Sequence, residues 1–163
     1  MEPSCSLQLS EDLKSSASGV SCARSRMGTV KPTKLYLITD INGYTPQIGR
    51  LVSMMNYVRW TTLEEVEDLN VEQLDYLHDE DSNSIGALLM HIAAVEASYQ
   101  KSTLDLDSFK GRDSKELRIA VDLGKRARRR IKGHGLDHYL RILEAVRSKT
   151  LGRVCQERRR MAR

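Results

Sequence analysis

The chain has 163 residues, of which 40% are apolar and only 5% aromatic, and it carries a net charge of +4. One compact domain with an aliphatic core fits that length. Three prolines and ten glycines are too few for a turn-rich all-β protein. No run of about 18 apolar residues is present, so no segment is expected to span a membrane. The N-terminus has no basic start followed by an apolar stretch, which speaks against a secretory signal.

Charge is distributed unevenly. Residues 41–110 sum to −8 and residues 111–163 to +11. Such asymmetry reads either as two faces that attract within the fold or as an exposed basic tail. Cys5, Cys22 and Cys155 are odd in number and far apart, with no C-x-x-C. That pattern excludes a disulfide framework and a zinc ribbon, and predicts reduced thiols in a cytoplasmic protein.

In chain order, residues 1–40 read as a disordered extension, rich in serine and without apolar periodicity, with Met27 as an alternative start. Leu35 to Ile38 form a short apolar run, an edge strand or a docking segment, and Asn42-Gly43 marks a turn. From Pro46 a helix of about 22 residues is predicted, capped by Thr45, with Ile48, Leu51, Met55, Val58, Thr62, Val66 and Leu69 as its apolar stripe. Asn70-Val71-Glu72-Gln73 resembles a capping box that opens a short turn. A second long helix begins at Ser82 or Asn83, with the stripe Ile85, Leu88, Leu89, Ile92, Val95 and Tyr99. A weaker helix over 114–131 presents Leu117, Ala120, Val121, Ala127 and Ile131, and Gly133 and Gly135 end it. A last helix covers 136–151 with Leu136, Tyr139, Leu140, Leu143, Val146 and Leu151, followed by a basic tail over 153–163. Helices joined by short connections predict an antiparallel bundle.

Histidine is the main chemical lead, because no phosphate loop, nucleophile elbow or H-E-x-x-H is present. At 100° per residue His91 lies at the edge of the second helix's stripe. It is either a ligand on a bundle seam or a half-exposed histidine bonded to a neighbour. His134 and His138 have metal-like H-x-x-x-H spacing, but the wheel sets them opposite the last helix's apolar stripe. Gly133 and Gly135 also break the helix at that point. Arg59, Glu96 and Arg147 each fall on an inward-leaning arc. They predict an interior ion pair that fixes helix register, the alternative being recognition of an anion. Lys125 to Arg130 and Arg158 to Arg160 are solvated faces or phosphate binders, and the lack of interleaved aromatics speaks against nucleic acid.

Three stretches carry a family resemblance: Ile41 to Tyr57 (INGYTPQIGRLVSMMNY), Asp81 to Tyr99 (DSNSIGALLMHIAAVEASY) and His138 to Leu151 (HYLRILEAVRSKTL). Together they are similar to DinB-like proteins over roughly 41–152. The resemblance implies an all-α, DinB-like antiparallel four-helix bundle. It implies a divalent metal, zinc or nickel, serving a hydrolase or thiol transferase that acts on a small-molecule substrate. His91 matches the family's metal-binding histidine on the second bundle helix. The H-x-x-x-H of the family's last helix has no counterpart, so the bundle is expected to be incomplete. A truncated or frame-shifted reading of a longer gene would account for this. One matching ligand predicts poor metal retention, and uncovered apolar stripes predict a homo-oligomer or a non-catalytic interaction module.

Overall fold

The computed structural model describes residues 36–111 and 114–161. The predicted extension lies almost wholly outside that range. Six helices, and no strand, are found among the described residues. They are α1 (Pro46–Val66), α2 (Val71–Asp75), α3 (Ile85–Thr103), α4 (Ser114–Asp122), α5 (Gly124–Arg130) and α6 (Leu136–Met161). The all-α expectation is met, and none of these helices is long and apolar enough to cross a membrane. The chain divides into two compact units, one running to Trp60 and resuming at Val154, the other spanning Thr61 to Arg153.

In the first unit the Asn42-Gly43 turn forms as expected, closed by Tyr44 N–H donating to the Ile41 carbonyl at 3.3 Å. Thr45 Oγ1 accepts from Ile48 N–H at 3.5 Å, so the cap on α1 forms at the predicted residue. The apolar run before it docks instead of forming a strand. Ser53 Oγ donates to the Leu37 carbonyl and accepts from Thr39 N–H, and Tyr36 packs its ring against Tyr57 and Trp60. The buried positions of α1 here are Gly49, Val52 and Ser53, while Leu51 and Val58 are exposed. Cys155 is disulfide-bonded, where the sequence predicts three reduced thiols. An odd cysteine count excludes a complete framework but not a single bridge. Cys5 and Cys22 lie outside the described residues.

The second unit holds the main core. Leu74, Ala87, Leu89, Met90, Leu117, Ile131, Tyr139, Ile142, Leu143 and Val146 are buried in one cluster. The capping box at α2 forms in full. Asn70 Oδ1 accepts from Gln73 N–H and Gln73 Oε1 accepts from Asn70 N–H, each at 3.0 Å. Ser84 caps α3, accepting from Ala87 N–H at 3.2 Å, one or two residues later than the sequence suggests.

The structure departs from the sequence pattern at three places. First, α3 buries Gly86, Ala87, Leu89, Met90, Ala93, Ala94 and Ala97, while Ile85, Leu88, Ile92 and Tyr99 face solvent. The helix is apolar nearly all round, so its large side chains set the periodicity although its small ones make the contact. Second, the single helix over 114–131 is two. Leu123 (φ 55°) and Gly124 (φ 68°) both adopt positive φ and interrupt it, and Asn83 Oδ1 takes the freed Gly124 N–H. Of the predicted inner residues, Leu117, Ala120, Ala127 and Ile131 are nevertheless buried, and Val121 is half-buried against them. Third, α6 continues to Met161 instead of stopping at 151. Most residues after Gly152 are good helix formers, and none is proline.

Candidate metal centre

The polar interior of the second unit is organised first by the predicted ion pair. Arg147 Nε donates to Glu96 Oε1 at 2.9 Å and to Oε2 at 3.2 Å, both side chains being nearly buried. Thr150 Oγ1 donates to the same carboxylate at 2.6 Å. Gln100, buried beside it, donates to the Val146 carbonyl and to Thr150, and its own oxygen accepts from Ser108. Each of these side chains is answered by another side chain or a carbonyl. The network holds α3 against α6, as an interior pair that fixes register should.

His91 has a comparable tie. Its Nδ1–H donates to the Ala120 carbonyl at 2.7 Å, so the ring links α3 to α4. Of the two arrangements open to it, the half-exposed, neighbour-bonded one is seen. Among the described residues it belongs to no group of three potential ligands.

A gathering of ligands occurs elsewhere. Glu116, in the first turn of α4, faces His134 and His138. His134 Nε2 lies 3.6 Å from Glu116 Oε1, and His138 Nε2 lies 3.4 Å from Oε2. One ligand atom from each of the three falls within 4.8 Å of the other two. The local sequence explains how. Gly133 (φ 76°) turns the chain out of α5, and its N–H is held by Asp75 Oδ2 at 2.7 Å. His134 follows directly, and His138 occupies the first turn of α6. The two rings stack at 3.9 Å and 12°, and Tyr139 meets both edge-on. The close approach of Tyr139 requires a glycine on α3, since a Cβ at Gly86 would lie 2.5 Å from the phenol oxygen.

Four buried polar atoms here form no hydrogen bond: Glu116 Oε2 and His138 Nε2, which face each other at 3.4 Å, together with Tyr139 Oη and Asp75 Oδ1. Burying such atoms without a hydrogen bond is costly, and their concentration at one place makes this the candidate site. Burial of His138, followed by the neighbouring His134 charge, pushes its imidazole below the usual value. It is therefore neutral at pH 7, the form that offers a lone pair to a metal. Burial, then the Asp75 and Glu116 carboxylates, pushes Tyr139 up to about 12. The phenol stays protonated and can serve as a donor.

The donor set suits a transition-metal cation. Two imidazoles and one carboxylate match zinc sites that keep an open position. Neighbouring ligand atoms on a tetrahedral zinc are about 3.3 Å apart, given bonds of about 2.0–2.1 Å, close to the two separations observed. The stacked planes are the one feature an ion would alter, because parallel rings cannot both aim a lone pair at one point.

The helical wheel sets His134 and His138 away from the apolar stripe, and nothing in the sequence singles out Glu116. No spacing links position 116 to 134; only the packing of α4 against the start of α6 does. The one available signal is the H-x-x-x-H spacing itself, and Gly133 and Gly135 weaken it by breaking the helix there. No family model matches the chain, and no curated protein does.

Proposed function

We propose that this is a metal-binding helical protein in which Glu116, His134 and His138 hold a divalent cation of the zinc class. The observation that carries the reading is the gathering of three ligand atoms within 4.8 Å, among them buried atoms of Glu116 and His138 that face each other without forming a hydrogen bond. A bound cation with an open position would supply Lewis acidity and a water of lowered pKa, the chemistry of a hydrolase. Glu116 brings the negative charge, Asp75 fixes the turn that delivers His134, and Tyr139 keeps a proton available beside the ligands. The DinB-like resemblance supports the same class of activity, with zinc or nickel as metal, but would route it through His91. Titration with zinc, and the visible spectrum of the cobalt form, tests the two placements. One equivalent should bind, and Glu116→Gln and His138→Ala should each weaken binding by at least tenfold while His91→Ala leaves it intact. Loss on His91→Ala alone would favour the family placement, and no binding by the parent chain would refute both.

A second reading is favoured by α3. Ile85, Leu88, Ile92, Val95 and Tyr99 follow the a–d–a–d–a spacing of a coiled-coil seam, and four of the five are exposed. The occupant best matched to such a seam is the same seam on a second copy, related by a two-fold axis. Sedimentation velocity should show concentration-dependent dimers that Leu88→Glu abolishes. A monomer at concentrations differing about 100-fold would dismiss this reading without touching the metal proposal.

A further inference from the structure

The seven residues of α5 (GKRARRR) stand out for what they leave exposed. Lys125, Arg126, Arg129 and Arg130 all face solvent, as does Lys132 just beyond the helix. None of these five makes an ion pair among the described residues. At 100° per residue the four on the helix occupy an arc of about 140°. The opposite side is anchored. Ala127 and Ile131 are fully buried, and Arg128 donates to the Asp81 and Ser82 carbonyls at 2.9 and 3.5 Å. Asn83 and Asp75 hold the backbone N–H groups of Gly124 and Gly133 at either end.

Local electrostatics do not explain this placement. Cations in the last turn complement the helix dipole, which accounts for Arg129 and Arg130. Lys125 and Arg126 sit in the first turn, where a cation is disfavoured and where α5 has no acid. Lys125 with Arg129 and Arg126 with Arg130 are also like-charge i,i+4 pairs, each unfavourable. A fixed cationic face that opposes its own helix calls for an outside anion.

We infer that α5 is a docking face for the phosphate backbone of double-stranded nucleic acid. The face spans about 8 Å along the helix axis, enough to meet neighbouring phosphates. No Phe, Tyr or Trp lies between Gly124 and Leu136, so single-strand binding by base stacking lacks its platform. Backbone contact with a duplex needs none. A lipid surface is the weaker match, because the apolar residues of the segment, Ala127 and Ile131, are buried in the core and none faces outward to insert. Binding of this kind is sequence-independent and governed by counterion release.

The test is fluorescence anisotropy of the full chain with a labelled duplex of about 20 base pairs and mixed sequence, over roughly 50–300 mM salt. Four to five phosphate contacts predict a log–log salt slope of about −4. Lys125→Gln with Arg126→Gln, or Arg129→Gln with Arg130→Gln, should each cut that slope by about 2 and weaken binding about 50-fold at about 100 mM salt. Circular dichroism melts check that these variants remain folded. Arg158→Gln with Arg159→Gln and Arg160→Gln serves as the comparison. The inference is overturned if the parent chain does not bind at about 50 mM salt, or if the tail variant lowers the slope and the α5 variants do not. Equal affinity for vesicles containing a third phosphatidylserine, lost in the same α5 variants, would overturn it in favour of a membrane surface.

Discussion

At the scale of single residues, the energetics concentrate where a charge has lost water. Glu96 and Arg147 have nearly buried side chains, and Glu96 also takes the Thr150 hydroxyl proton in a hydrogen bond. Removing one member leaves the other uncompensated, which typically costs about 3–5 kcal/mol. Glu96→Ala should therefore lower the urea midpoint far more than Glu65→Ala, whose side chain faces solvent. Asp79 illustrates a milder case. The Ser82 hydroxyl, then the backbone N–H groups of Ser82 and Asp81, hold its carboxyl below 3.8. A depressed carboxyl contributes stability that is present above its unfolded value and lost as pH falls through the folded one. The turn over 79–82 should thus open on acidification below about pH 3.8. Ser82 amide exchange should accelerate there, and Asp79→Ala should show fast exchange at every pH. The histidine cluster differs from both, since several of its buried polar atoms form no hydrogen bond where those of Glu96 and Asp79 do.

At the scale of elements, capping chemistry is legible in the sequence and tertiary choice is not. Asn70 with Gln73 and Thr45 before Pro46 act over three residues, and both form where the sequence places them. The buried face of the 114–131 segment is equally legible, because its polar and apolar residues contrast strongly. The break within it is not, because a lone glycine does not by itself end a helix. The conformation at Gly124 gives that break a measurable consequence. Its φ is 68°, and a Cβ added there would meet nothing within 4 Å, so Gly124→Ala should cost only the left-handed penalty of about 1–2 kcal/mol. A loss much beyond that, by chemical denaturation, would show that more than backbone conformation is at stake. The metal-ligand candidates fail to declare themselves for a related reason. Glu116 and His138 meet through packing, not through spacing.

At the scale of the molecule, an acidic middle and a basic end predict either mutual attraction or an exposed tail, and the structure gives a divided answer. Part of the basic end is drawn inward: Arg147 pairs with Glu96, and Arg128 reaches Asp81. The other cations of α5, Lys125, Arg126, Arg129 and Arg130, remain outside. The aliphatic core inferred from 5% aromatics is present in the second unit, where Phe109 and Tyr139 are its only buried aromatic rings among the described residues. Its ligand cluster and its ion-pair network lie on the same α3–α6 framework, through Gly86 against Tyr139 and Glu96 against Arg147. That framework is what sequence periodicity can least resolve, since it depends on which of two apolar faces of α3 turns inward.

The inward face of α3 also sets how the helix can vary. Chemists scanning a helix expect its leucines and isoleucines to be immovable and its alanines to be free. Here the tolerance is reversed. Ala87, Ala93, Ala94 and Ala97 have no exposed surface, so any added methylene must displace a neighbouring group. Ala94→Leu should cost about 1–3 kcal/mol or more through overpacking. Leu88→Ala, on the outer face, should fall within about 0.5 kcal/mol in the monomer. A saturation library of α3 sorted for folding would then show its narrowest columns at alanine and its widest at Leu88 and Ile92. The opposite pattern would mean that the helix is rotated by half a turn from the orientation described.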